Sequence, residues 1–170
     1  RGGYYETAGL LRDMIQNHLM QVLCLTCMEP PASLDSDDVR NEKVKVLKAL
    51  RALRLSGEDS DVVRGQYASG ESEGQTVPGY REEPDVPETS NTETFTALRV
   101  HIDNFRWAGV PIFLRSGKRM SHRGTQIAVT FKEGAHILFN ALPGVVPPRN
   151  RIIFQIQPNE GILLELGTKR

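Results

Sequence analysis

Three segments of the sequence carry side chains that could do chemistry. The first is Arg12-Asp13-Met14-Ile15-Gln16-Asn17-His18-Leu19, where His18 lies in a run that reads as a mostly buried helix. An imidazole there could serve as a proton-transfer group. Asp13 stands five residues earlier, and on an α-helix that spacing separates two side chains by about 140° around the axis. Asp13 is therefore not expected to orient His18 directly; both point into one cleft from adjoining faces. The second segment is Leu114-Arg115-Ser116-Gly117-Lys118-Arg119-Met120-Ser121-His122-Arg123, a basic turn whose cations could hold a phosphate. It lacks the GxxxxGK spacing of a nucleotide-binding loop. In the third, Gln155-Ile156-Gln157-Pro158-Asn159-Glu160-Gly161, Gln157 could both donate to and accept from sugar hydroxyls. Each has a plainer reading when taken alone: a hydrogen-bonded core histidine, a solvated basic loop and an ordinary strand terminus.

The elements that must position these residues follow from periodicity. Residues 7–28 contain strong helix formers and no proline, with Thr7 placed to cap the start and Pro30-Pro31 to stop the helix. Leu10, Leu11, Met14, Ile15, Leu19, Val22 and Leu23 cover more than one face, which predicts a central helix. Asp13, Gln16, Asn17 and Gln21 form one polar stripe on it, and a buried stripe needs partners. A second helix is expected from Asp35-Ser36-Asp37-Asp38, whose side chains suit a helix start, to about Leu55.

Beyond residue 58 the pattern changes to alternation. Strands are predicted at 62–67, 98–103, 112–114, 127–131 and 152–156, with residues 161–170 as a further strand. A loop rich in Gly, Glu, Pro and Ser spans 69–91. Helices first, then strands on connections mostly too short for parallel crossovers, indicate an α+β fold: a largely antiparallel sheet with helices packed on one face. One domain is expected, helical over 1–58 and sheet over 59–170.

Composition excludes several classes. Lys plus Arg total 21 and Asp plus Glu total 21, so there is no overall field for nucleic acid or an acidic membrane surface. The basic turn also has no interleaved aromatics for base stacking. No apolar run reaches the roughly 18 residues that span a bilayer, and the first residues do not form a secretion signal. A soluble intracellular protein is expected. The absence of a starting Met, and a final strand with nothing after it, suggest a piece of a longer chain. Cys24 and Cys27 form a CxxC with no second Cys or His pair at metal spacing, so they are read as core packing, with neither disulfide nor metal.

Taken together, the segments closely resemble the glucose-6-phosphate dehydrogenase family. The resemblance rests on Arg12-Asp13-x-x-Gln16-Asn17-His18-Leu19, Met28-Glu29-Pro30-Pro31, Asp37-Asp38-Val39-Arg40-Asn41-Glu42-Lys43-Val44-Lys45-Val46-Leu47, Arg64-Gly65-Gln66-Tyr67 and Pro78-Gly79-Tyr80. It continues through Thr92-Glu93-Thr94-Phe95, Trp107-Ala108-Gly109-Val110-Pro111-Ile112-Phe113-Leu114-Arg115-Ser116-Gly117-Lys118 and Gln157-Pro158-Asn159-Glu160, covering nearly the whole chain. The resemblance implies that His18 is the general base taking the C1 hydroxyl proton of glucose 6-phosphate, while hydride passes to NADP. It further implies that Asp13, Lys118, Arg123 and Gln157 bind the substrate. A homodimer or homotetramer in the cytoplasm is what such a family member implies.

The family's dinucleotide-binding domain and its Arg-Ile-Asp-His-Tyr-x-Gly-Lys segment are not in this sequence, so the isolated chain is expected to be inactive. Some members hold a second, structural NADP. Arg115 fits that site, but Gln155, Gly124 and Glu165 stand where those members carry cations, which argues against it. Two alternatives remain at this level: a non-catalytic oligomerisation module or truncated product, and a related enzyme acting on other hexose 6-phosphates.

Overall fold

The structure, a computed structural model, describes residues 2–72, 74–132 and 149–167. The chain forms two compact units, Arg1–Arg119 and Met120–Arg170. In the first, α1 (Gly2–Leu10) leads into a π-helical segment (Leu11–Leu19), then α2 (Met20–Cys27) and α3 (Ser36–Lys48). Strands β1 (Val62–Gly65), β4 (Phe95–Val100) and β5 (Ile112–Gly117) form an antiparallel sheet in the order β1-β4-β5. Between β1 and β4 lie the hairpin β2 (Gly70–Ser72) and β3 (Gln75–Val77) and a short 3₁₀ turn at Tyr80–Glu82.

One face of β4 makes the core. Thr96, Leu98 and Val100 alternate inward, as a strand requires. Leu98 and Val100, with Ile102 beyond the strand end, join Leu10, Ile15, Leu23, Cys24, Cys27 and Val46 from the helices. On strands β1 and β5, Val63 and Phe113 remain exposed. The first unit is thus an antiparallel sheet with helices on one face, the α+β class expected.

The second unit is the antiparallel sheet β6-β7-β8, built from Thr125–Thr130, Arg151–Gln157 and Gly161–Glu165. The predicted strand over 161–170 stops at Glu165 among described residues; 168–170 lie outside them.

Several element boundaries differ from expectation. The first helix begins at Gly2, so Thr7 does not cap it; the Thr7 hydroxyl instead donates to the Tyr4 carbonyl at 2.8 Å. The second helix ends at Lys48, after which the chain turns into a bridge between Leu50 and Ile102. Within the 69–91 stretch, a Cβ at Gly79 would lie 2.8 Å from the Ser69 backbone nitrogen. Only glycine permits that approach. It allows Tyr80 to be buried, donating its hydroxyl to Glu6 at 2.7 Å.

Candidate active site

The helix that carries His18 is built from three windings. Gly9 leaves the helical region at φ 66° and ψ 159°, a backbone conformation few other residues adopt. The break frees two N–H groups at the restart. Leu10 donates to the Glu93 carbonyl at 3.3 Å and Leu11 to the Glu93 carboxylate at 3.0 Å. Glu93 is itself buried and paired with Arg64 at 3.0 Å. At the other end, the Trp107 indole donates to the Cys27 carbonyl at 2.9 Å, and Arg106 forms two bonds of 2.6 and 2.8 Å to Glu29. Glu93 precedes β4 and Trp107 follows it, so the helix is clamped at both ends by residues flanking one strand.

Between the clamps the backbone is π-helical over Leu11–Leu19, and the Met20 N–H donates to Ile15 five residues back. In such a winding the fifth residue returns much closer to the first around the axis than in an α-helix. The expected wide separation of Asp13 and His18 is therefore corrected: the two are brought towards one side of the helix. A second correction concerns burial. Gln16, Asn17, His18 and Gln21 are exposed, and Asp13 is half-buried. The polar stripe faces outwards and its partnering is slight: the Tyr4 hydroxyl reaches Asp13 at 3.5 Å and Lys43 donates to Gln21 at 3.0 Å. Neither the central helix nor the buried histidine holds in this chain, because Ile15, Leu23, Cys24 and Cys27 alone supply the buried face of the π segment and α2.

Lys118 belongs to the same unit. Strand β5 packs against the π segment, and the Lys118 N–H donates to the Thr94 carbonyl at 2.9 Å. Its ammonium lies 4.8 Å from the ring centroid of Tyr5. Burial, and next the charge of Asp13, push the Tyr5 hydroxyl up to about 12. Asp13 and Lys118 thus both act on Tyr5, which joins the helix to the end of β5. Arg119, at φ 51°, turns the chain out of the strand; its guanidinium lies 5.0 Å from the Tyr67 ring and pairs with Glu83. Arg115 is exposed on β5, opposite Ala97.

In the second unit, Gln157 pairs across the ladder with Thr125, two residues beyond Arg123. Arg123 and Gln157 therefore stand at one end of the β6–β7 ladder. A Cβ on Gly124 would sit 3.3 Å from the Gln157 carbonyl, so a side chain there would crowd that end. Glu165 is paired with Arg151 at 3.1 Å. With a neutral Gln155, a crowded position 124 and an anionic Glu165, these residues do not fit a second dinucleotide.

Cys24 and Cys27 are buried free thiols in the core cluster. Burial pushes Cys27 up to about 11, with Cys24 adding to the effect. Such thiols are unreactive packing groups. Among the described residues no His, Cys, Asp and Glu group could hold a metal ion, and no helix is long and apolar enough to cross a membrane.

Sequence reasoning did not single out Glu93, Tyr5 or Trp107. Glu93 and Trp107 lay in motifs without recognised chemistry. The one available signal for Glu93 was an acidic residue five positions before the alternation that begins at Leu98.

Comparison with known proteins agrees with this fold. Residues 1–170 match the family described as "Glucose-6-phosphate dehydrogenase, C-terminal domain". The chain is 49% identical over 170 residues to the glucose-6-phosphate 1-dehydrogenase of Bacillus subtilis, covering 100% of this chain and 35% of that protein. It is 50% identical over 169 residues to that of Mycolicibacterium smegmatis, covering 99% and 34%. A solved structure, "Glucose-6-phosphate dehydrogenase in complex with its substrate glucose-6-phosphate", superposes with a TM-score of 0.84 at 40% identity, covering 100% of this chain and 33% of that one. The crystal structure of the enzyme from Mycobacterium avium gives 0.83 at 40% identity, covering 100% and 35%. The chain spans about a third of the length of the relatives it matches. A helix bearing Asp13 and His18, clamped at both ends by residues that flank β4 and packed against the strand that Lys118 follows, is thus carried by a chain that belongs to the glucose-6-phosphate dehydrogenase family and corresponds to its C-terminal domain.

Proposed function

We propose that the full-length protein oxidises glucose 6-phosphate to 6-phosphoglucono-lactone, and that this chain contributes its base and part of its substrate site. The observation that supports this most is the placement of Asp13, His18 and Lys118 within one unit, on the π segment and at the end of the strand packed against it. His18 takes the proton of the C1 hydroxyl. Its exposure leaves the imidazole open to a substrate, and Asp13, brought round towards the same side by the winding, is available to a sugar hydroxyl. Lys118 contributes a compact cation for the phosphorylated sugar; Arg123 and Gln157, at one end of the β6–β7 ladder, are substrate-binding residues of the second unit. Firm placement of C1 at the base is the contribution that binding residues make to the rate.

NADP, when bound, supplies the hydride acceptor. Its main site lies in the dinucleotide-binding domain, outside this chain. Among the described residues, the helices that present His18 fall within 2–48 and the strands within 62–165. The full-length protein works as a homodimer or homotetramer in the cytoplasm.

Absorbance of NADPH formed from glucose 6-phosphate and NADP tests the reading. Activity of the full reading frame, with none from the 170-residue chain alone, supports it. A full-length protein that forms no NADPH overturns it.

A further inference from the structure

We propose that Tyr5 is a positioning residue for Lys118, its ring acting as the platform that holds the ammonium where a phosphorylated sugar meets it. The inference rests on the substrate role of Lys118 proposed above. The Lys118 Nζ lies 4.8 Å from the Tyr5 ring centroid, inside the roughly 6 Å over which an aromatic face attracts a cation. The platform is rigid, since Tyr5 is only 6% exposed and packs in the core with Leu10 and Ile15. Lys118 is exposed, and only its backbone is fixed, by the bond to Thr94.

The chemistry of the contact suits an anion site. A lysine side chain free in water loses considerable rotamer freedom when a ligand fixes it. A carboxylate partner would restrain it but would compete with an incoming anion. Among the described residues no carboxylate within ion-pair distance holds Lys118. An aromatic face restrains the ammonium without neutralising it and leaves its N–H donors for the ligand.

The Tyr5 hydroxyl takes no part in this. It is buried and has no hydrogen-bond partner. Such a group costs stability. The platform therefore requires the ring and not the oxygen, which separates this role from substrate binding by the hydroxyl.

The test uses the full-length protein with Tyr5→Leu, Tyr5→Phe, Lys118→Ala and the Tyr5→Leu/Lys118→Ala double variant. Tyr5→Leu should raise the KM for glucose 6-phosphate by roughly two- to tenfold, the range of a cation–π contact, with kcat little changed. Tyr5→Phe should keep the wild-type KM and melt at a higher temperature. In the Lys118→Ala background, Tyr5→Leu should add nothing to KM. A wild-type KM in Tyr5→Leu, or a full KM increase that persists without Lys118, overturns the inference while leaving the proposed reaction intact. Wild-type protein that does not oxidise glucose 6-phosphate overturns both. Should Tyr5→Leu not fold, proton and carbon NMR of lysine-labelled wild-type protein decides: a Lys118 ε-methylene signal shifted upfield by the ring, and missing in Lys118→Ala, supports the contact, and its absence overturns it.

Discussion

The carboxylate of Glu93 accepts the backbone N–H of Leu11 at 3.0 Å across 82 residues of sequence, while its own carbonyl accepts the N–H of Leu10. The same side chain holds Arg64 at 3.0 Å. Helix starts leave N–H groups without internal partners, and losing a side-chain cap costs about 0.5–2 kcal/mol. Glu93→Ala should therefore lower the melting temperature and, by loosening the start of the His18 helix, reduce turnover. Glu93→Gln keeps an acceptor for Leu11 and should recover most of the loss. Thermal melts beside NADPH assays would check this; an alanine variant with wild-type melting and turnover would remove Glu93 as a clamp.

His18→Asn in the full-length protein should reduce turnover by at least about 10²-fold, the lower range for loss of a general base, with substrate affinity little affected. Steady-state kinetics decides the point. Near-normal turnover would exclude His18 from proton transfer.

Lys118→Ala should act chiefly on KM, since the residue meets the ligand through its ammonium while its backbone bond to Thr94 survives the substitution. Comparing kcat and KM with the wild type distinguishes this from a general structural effect, which would alter melting temperature as well. An unchanged KM would return the 114–123 turn to a solvated basic loop.

Asp61 provides a pH-dependent contribution to stability. It accepts from the Arg54 guanidinium at 3.2 Å and backbone at 3.0 Å, and from Arg99 at 2.8 Å. The Arg54 side-chain bond is the first cause that holds its carboxyl well below the usual aspartate range. Because the folded value is depressed, the stabilisation is fully present above the unfolded value of about 3.9 and is lost as pH falls below it. Asp61→Asn should lower the melting temperature at neutral pH and flatten its fall in acid. Melting curves between neutral and acid pH would show the two profiles converging; parallel profiles would contradict the assignment.

The fold class was legible because the change from helical spacing to alternation survives in the sequence: Leu98 and Val100 alternate against Arg99, and both face the helices. His18, Asp13 and Lys118 were legible as chemistry-bearing types in motifs. Their setting was not. Over the 9 residues of Leu11–Leu19 the periods of a π winding and an α-helix are too close to tell apart, so nothing there betrays that Asp13 and His18 turn towards each other. Exposure of the polar stripe was equally hidden, because Leu11, Met14, Leu19 and Val22, only partly buried, imitate a second buried face. Glu93 and Tyr5 act through contacts 82 and 113 positions distant along the chain, beyond the reach of any local pattern.

The π-helical segment has a consequence for how this region can tolerate change in length. Its register holds one fewer bond for the same number of residues than an α-helix would, because each N–H reaches one residue further back. Removing a single residue between Leu11 and Leu19 would let the backbone relax into uninterrupted α-helix, the more favourable winding. Removed from between Asp13 and His18, that residue would leave the two four apart, about 40° around an α-helix and still on one side; removed from outside that interval, it would leave them five apart and about 140° around the axis. Where a residue is lost, and not only whether the helix survives, would therefore decide whether Asp13 and His18 are still presented together.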